Sequence, residues 1–225
     1  MNAIHATLEP LHWENAFFSV NSSLVRISDG APPLTEAQLT CWSRIQAKIP
    51  AQRTDWLDGL QELGFQFVEG EVDLRLRIKP SQHRVRFDIA QSDDIAVLRD
   101  QAAHAFRQSR FRSPWYQADD SHRFYAQWVE NAVHGTFDNQ CLLLKEAGVI
   151  RGFVTLRQLD NQQARIGLLA GKGLGSALMD VAQYWCQQRG LEMLRVATQV
   201  SNQAALRLYI QRGATIDSTA FWLYR

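Results

Sequence analysis

The chain has 225 residues, 46% of them apolar, with 24 basic and 23 acidic side chains and a formal net charge of +1. This length supports a sizeable core, as one large domain or two small ones, and the charge balance gives no electrostatic basis for binding nucleic acid or an anionic membrane. No apolar run reaches the roughly 20 residues of a membrane helix, and MNAIHATLEP lacks the basic-then-apolar order of a secretory signal.

Cys41, Cys141 and Cys186 are odd in number and far apart, which argues against a disulfide framework. His5, His12, His83, His104, His122 and His134 never pair at ligand spacing, so no metal is expected. A cytoplasmic, soluble protein is the expectation.

In chain order, WENAFF (Trp13 to Phe18) is a compact aromatic cluster. RIQAKIPAQRTDWLDGLQELGFQFVEGEVDLRL then reads strand, helix, glycine, strand. Alternation in FVEGEVDL puts Val68, Val72 and Leu74 on one side and Glu69, Glu71 and Asp73 on the other, the latter read as a solvated face for Glu71 and Asp73. KPSQHR (Lys79 to Arg84) is the natural boundary between a unit at 1–80 and one at 81–225, because Pro80 excludes a continuous strand.

From Phe87 the pattern alternates. RFDIA is a short strand, with Ser92 and Asp93 as N-cap candidates for a helix carrying Ile95, Leu98, Ala102 and Phe106. The loop SRFRSPWY follows, then a helix from Ser121 to Val133, then strands in QCLLLKE, IRGFVTLRQ and QARIGLLA. AGKGLGSALMD opens the next helix, LRVAT is a strand, Asn202 starts a helix ending at Arg212-Gly213, and TIDSTAFWLYR is extended. Antiparallel strands before a single parallel crossover predict a mixed α/β fold. The C-terminal strand–helix–Gly–strand repeats the N-terminal one weakly, with Ile45 and Ile49 in the places of Val196 and Val200, Gly64 in that of Gly213, and a two-residue gap.

Three glycines in five residues before an apolar helix point to a phosphate. A Walker loop fails, because Leu174 stands where a magnesium-binding hydroxyl is needed. A dinucleotide loop fails too: Ser176 takes the third glycine's place, and Ala197-Thr198-Gln199 offers no acid for a ribose. The helix start itself offers backbone N–H groups, with Lys172, Leu174, Gly175 and Ser176 as the expected donors. Gly167, isolated in a strand pattern, predicts a bulge.

GKGLGSALM, a strand, and then N-x-x-A-x-x-L-Y-x-x-x-G resemble the GCN5-related N-acetyltransferase superfamily. Gly171, Gly173 and Gly175 match its phosphate loop, and Asn202, Ala205, Leu208, Tyr209 and Gly213 its second motif; Ala170 departs, standing where the family usually has Gln or Arg. The resemblance implies acetyl-CoA as co-substrate, two strands splayed at the bulge, and Leu168, Leu169 and Ala170 as backbone partners of the pantetheine arm, with the N–H groups near Leu168 and Leu169 as oxyanion donors. It places Tyr209 as the general acid toward the departing thiolate, a thiol with pKa about 8.5 meeting a hydroxyl with pKa near 10. Many relatives have a Glu before the loop where this chain has Arg165, so Glu69 is taken as the general base.

SRFRSPWY suits a sugar nucleotide, with Arg110 and Arg112 for phosphate and Trp115 or Tyr116 for stacking. WENAFF, EGEVDL, SRFRSPWY, RFYAQWVENAVHGTFD, ARIGLLAGKG, LRVATQ and WLYR together resemble the enterobacterial family of dTDP-fucosamine acetyltransferases. That resemblance implies acetylation of the 4-amino group of dTDP-4-amino-4,6-dideoxygalactose for enterobacterial common antigen, by a cytoplasmic homodimer with a smaller N-terminal domain. The alternatives are an acetyltransferase acting on a protein N-terminus or another small amine, and a non-catalytic acyl-CoA sensor, which would have no need of Tyr209.

Overall fold

A computed structural model of the chain describes residues 3–80, 84–106 and 109–225. The elements run β1 (Ala6–Pro10), α1 (His12–Phe18), β2 (Ser22–Ile27), α2 (Glu36–Leu39), β3 (Arg44–Pro50), α3 (Thr54–Glu62), β4 (Gln66–Arg77) and β5 (Asp88–Ile89). They continue α4 (Ile95–Ala105), α5 (Asp120–His134), β6 (Gln140–Glu146), β7 (Val149–Gln158), β8 (Gln163–Ala170), α6 (Gly175–Gln187), β9 (Met193–Gln199), α7 (Gln203–Gln211) and β10 (Thr215–Tyr224). From Phe87 onward this is the expected order. The cap of α4 differs: Gln91 and Asp94 close a reciprocal capping box on a short 3-10 turn, and neither Ser92 nor Asp93 caps the helix.

All ten strands join one sheet in the order β1-β2-β3-β10-β4-β9-β8-β7-β6-β5. Parallel pairing occurs at β2–β3 and β8–β9, and the rest is antiparallel, a mixed α/β architecture. The sheet runs unbroken through strands from both sides of the expected boundary, since β4 pairs with β10 on one edge and β9 on the other. Residues 81–83 of that boundary lie outside the described ones, and the division at 80/81 stands as a proposal.

Period-2 alternation sorts the side chains. One core lies under α6, whose Leu178, Met179, Val181, Ala182 and Trp185 cover Leu142, Val154, Leu156, Ile166, Leu194 and Val196. A second lies under α4 and α5, where Leu98, Phe124 and Val129 meet Leu143, Phe153, Leu168 and Tyr224. Burying a Leu, Val or Met side chain contributes about 1.5–3 kcal/mol, so α6 is held by packing along its apolar stripe despite its glycine start. Leu60 of α3 anchors a third core against Ile45, Ala47, Ile49 and Leu223.

The internal repeat is real at the level of backbone, without the expected gap. β3 and β9 span 44–50 and 193–199, α3 and α7 span 54–62 and 203–211, and β4 and β10 start at 66 and 215, a constant offset of 149 positions. Gly64 and Gly213 follow the helices with φ of 83° and 88°, where a side chain would be strained. Ile45 therefore corresponds to Leu194 and Ile49 to Thr198, and Leu60 stands where the second unit has Tyr209. The order β3-β10-β4-β9 reads the same when the two units are exchanged, the mark of a pseudo-twofold axis between β10 and β4.

Candidate active site

β8 and β9 are paired only over Gln163–Ile166 against Met193–Val196, and beyond that point they part. The cause sits at Gly167. Ile166 packs under α6 while Leu168 packs under α4 and α5, although residues two apart on a regular strand share a face. Pairing with β7 steps from Leu156↔Ile166 to Val154↔Leu169, setting Gly167 and Leu168 opposite Thr155 alone. That is the expected bulge.

A buried chain pins it. The Leu168 N–H donates to Thr155 Oγ1 (2.8 Å), Thr155 donates to Asp138 Oδ2 (2.6 Å), and Trp128 Nε1–H donates to the same oxygen (2.8 Å). A Cβ on residue 167 would fall 2.1 Å from Asp138 Oδ2, so glycine is required here by space. One expectation is corrected: the Leu168 N–H is spent on Thr155, and alternation turns the Leu169 N–H toward the gap instead. Thr155→Val keeps the shape but strands the Leu168 N–H and removes a partner of buried Asp138. It is expected to cost about 1–3 kcal/mol, read as a lower urea midpoint that Thr155→Ser largely restores.

The gap holds a cleft of about 720 Å³ lined by Gly171, Gly173, Gly175 and Ser176 of the loop and helix start, and by Asn202, Leu208 and Tyr209. The three loop glycines serve different needs. Gly173 has φ of 74° and open space around it. An added Cβ would lie 3.0 Å from Gly152 Cα at Gly171 and 2.7 Å from Leu208 Cδ2 at Gly175.

Leu174, the N-cap of α6, offers no side-chain acceptor, and the first turn holds no acid. The N–H groups of Gly175, Ser176 and Ala177 therefore lack internal acceptors and carry the positive end of the helix dipole, an arrangement that fits a pyrophosphate. The expected donor Leu174 is corrected, since its N–H bonds Gly171 O at 3.1 Å. The side chains of Lys172 and Leu174 line a separate groove with Lys145 and Arg151. Arg212, whose charge is paired with Asp180, also donates to Ser176 Oγ at 3.1 Å.

Tyr209 sits on α7, whose N-cap Asn202 accepts from the Ala205 N–H at 3.2 Å. Burial pushes its hydroxyl up to about 12, and it is protonated at neutral pH. The cleft lining also includes Glu69 and Glu71 of β4. Glu71 binds Lys48 Nζ (2.5 Å) and Trp222 Nε1 (2.9 Å). Burial pushes its carboxyl up, but these two bonds, together with the charges of Lys48 and Arg110, hold the group below the usual carboxylate range.

Asp73 pairs with Arg165. The solvated face expected for Glu71 and Asp73 is thus corrected: both are half-buried and held by cations. Glu69 alone of the three has no cationic partner among the described residues; it receives the Gly70 N–H (2.9 Å) and Ser201 Oγ (3.3 Å).

Of the four residues expected from SRFRSPWY, Arg110 lines the cleft. Its guanidinium lies 3.9 Å from the Trp222 ring centroid and donates to Tyr224 and, at 2.8 Å, to Gln46. Arg112 is turned to the Val68 carbonyl (3.1 Å), Trp115 meets Tyr224 edge-on (5.5 Å), and Tyr116 is buried beneath Arg44, 3.7 Å from its ring centroid. None of these three is in the cleft lining. Sequence reasoning missed Lys48 and Trp222 as site residues: Trp222 opens the WLYR segment and Lys48 lies in a strand, and both reach the cleft only through the sheet order. Among the described residues no cluster of potential metal ligands occurs, and no helix is long and apolar enough to cross a membrane.

The chain belongs to the acetyltransferase (GNAT) family, which residues 101–214 match. Over 223 residues, 99% of each chain, it is 58% identical to dTDP-fucosamine acetyltransferase of Escherichia coli O6:H1. In fold it is similar to a functionally unknown conserved protein from Staphylococcus epidermidis, with a TM-score of 0.62, 12% identity, and 100% of this chain and 92% of that one covered. It is also similar to a GCN5-related N-acetyltransferase from Sphaerobacter thermophilus, with a TM-score of 0.58 and 15% identity over 81% of this chain, spanning 59% of that one.

Proposed function

We propose that the chain transfers the acetyl group of acetyl-CoA to the 4-amino group of dTDP-4-amino-4,6-dideoxygalactose, the dTDP-fucosamine of its relative's name. The observation that carries the reading is one cleft joining an uncapped, acid-free helix start to a buried, protonated tyrosine and a carboxylate without a cation. The resemblance to the enterobacterial enzymes supports a cytoplasmic homodimer.

In this reading the start of α6 holds the pyrophosphate, and the parted edge of β8, at Leu169 and Ala170, seats the pantetheine arm. The Leu169 N–H meets the thioester oxygen, where negative charge develops; fixed dipoles count heavily in a site shielded from water. An alkyl ammonium, with a pKa of about 10.4 in lysine, must lose a proton before its nitrogen can attack. Glu69 accepts that proton. The neutral nitrogen bonds the acetyl carbon, the carbon–sulfur bond breaks, and Tyr209 supplies the proton the sulfur takes up. The second proton that nitrogen sheds in becoming an amide restores the tyrosine, so the net proton released is the one Glu69 accepted. Burial raises the pKa of the leaving thiol as it does that of the tyrosine, which keeps the two within reach of each other.

Thiol release from acetyl-CoA, measured against dTDP-amino sugars, other amino sugars and peptides, tests the reading. Turnover is expected with the dTDP-4-amino sugar; a peptide or simple amine that outcompetes it overturns the assignment. Glu69→Gln is expected to lower kcat/KM about a hundredfold near neutral pH. The deficit should shrink as pH rises, because more amine then arrives already neutral, and a pH-independent deficit would assign the base elsewhere.

A further inference from the structure

Beside the cleft lies a second hollow that the chemistry above does not use. It encloses about 750 Å³ and is walled chiefly by Trp13, Phe124, Trp128 and Phe137, a size and character suited to a small ligand. Arg110, Phe111, Phe124 and Trp128 line both spaces, so the two share a wall, with Arg110 as the cation on it.

Two of these rings are presented outward: Trp13 is 51% exposed and Phe137 49%. Trp13 stacks on Phe17 through one face (4.9 Å between centroids), and Phe137 meets Trp128 edge-on at 5.6 Å. The Trp128 ring is in turn fixed by its bond to Asp138. Glu14, the acid in the lining, is engaged by Gln46 Nε2 at 2.7 Å and lies 3.8 Å from Arg110. Asn131 has its Oδ1 taken by Gln127 at 2.9 Å, which leaves its amide N–H groups to donate.

We propose that this hollow seats the pyrimidine nucleoside end of the acceptor, with the diphosphate lying across Arg110 and the amino sugar in the cleft. The proposal rests on the sugar-nucleotide reading above. Rigid aromatic faces bind a base by stacking, Asn131 donates to a base carbonyl, and the cation on the shared wall meets the diphosphate where it must cross. The N-terminal segment WENAFF thus contributes to acceptor recognition through Trp13.

Calorimetric titration of the full chain with dTDP, alongside initial rates on the dTDP-amino sugar, tests the site. Trp13→Ala and Phe137→Ala are each expected to weaken dTDP binding about tenfold and leave the KM for acetyl-CoA unchanged, with Trp13→Phe restoring most of the affinity. Wild-type affinity for dTDP in both alanine variants, while the unmodified chain still acetylates the sugar nucleotide, overturns the site and leaves the function standing. Failure of the unmodified chain to bind dTDP or acetylate its amino sugar overturns both, and is seen before any variant is made. Loss of self-association in Trp13→Ala with unchanged dTDP affinity gives the hollow to a second copy and overturns the proposal.

Discussion

Replacing Tyr209 with phenylalanine lowers kcat by about a hundredfold or more, the usual contribution of a positioned acid, and leaves the KM for acetyl-CoA near that of the unmodified chain. The side chain is almost fully buried on α7 and lines the cleft, so losing one oxygen removes the proton donor and little packing. The pH profile gives a second readout. With its hydroxyl pushed up to about 12 by burial, Tyr209 keeps its proton through neutral and mildly alkaline conditions, and kcat shows no falling limb up to about pH 10, well below that value. A limb near pH 8.5, or full turnover in Tyr209→Phe, assigns the proton to another group.

The second large effect is structural. Gly167→Ala puts a methyl 2.1 Å from Asp138 Oδ2 and 2.7 Å from Thr155 Oγ1, in an interior with no slack. A destabilisation of about 1–3 kcal/mol is expected from overpacking of this kind, together with a raised KM for acetyl-CoA as the bulge shifts. Adding Asp138→Ala should return part of the stability, because it removes the atom in collision, without returning the KM, because it also unpins Thr155. Urea unfolding and initial rates separate the two. A double variant no more stable than Gly167→Ala would falsify the collision as the cause.

What could be read beforehand was local. The loop glycines and the Asn202-to-Gly213 motif declare themselves because an open helix start and a side-chain cap are each written within a few consecutive residues, and Gly167 announces a bulge because little else excuses a glycine in an apolar strand. What pins that bulge, Asp138 and Thr155, was silent, since both come from other segments brought together by the sheet. Alternation correctly placed Glu69, Glu71 and Asp73 on one face but could not say what covers that face. Lys48 and Arg165 arrive from β3 and β8 and turn an apparently wet strand into paired charges. In SRFRSPWY composition offered four ligand-like side chains, and tertiary packing chose between them. In the repeat, the sequence match pairs Ile45 and Ile49 with Val196 and Val200, whereas the backbone puts Leu194 and Thr198 in their places.

The interleaved order β3-β10-β4 has a consequence for how the chain reaches this state. β3 and β4 are neighbours in sequence, joined by α3, yet the strand hydrogen-bonded to both is β10, which begins only at Thr215. The N-terminal unit cannot close on itself in advance without filling the slot that β10 must enter. Until it does, Glu69 and Glu71 hang on a strand with one edge empty, and Trp222 has not yet arrived beside them. Such distant pairing is paid for in loop-closure entropy before it is rewarded, which slows folding. The strand that carries Glu69 and Glu71 therefore gains its full set of neighbours only when β10 is in place, which ties this wall of the cleft to the last strand of the sequence.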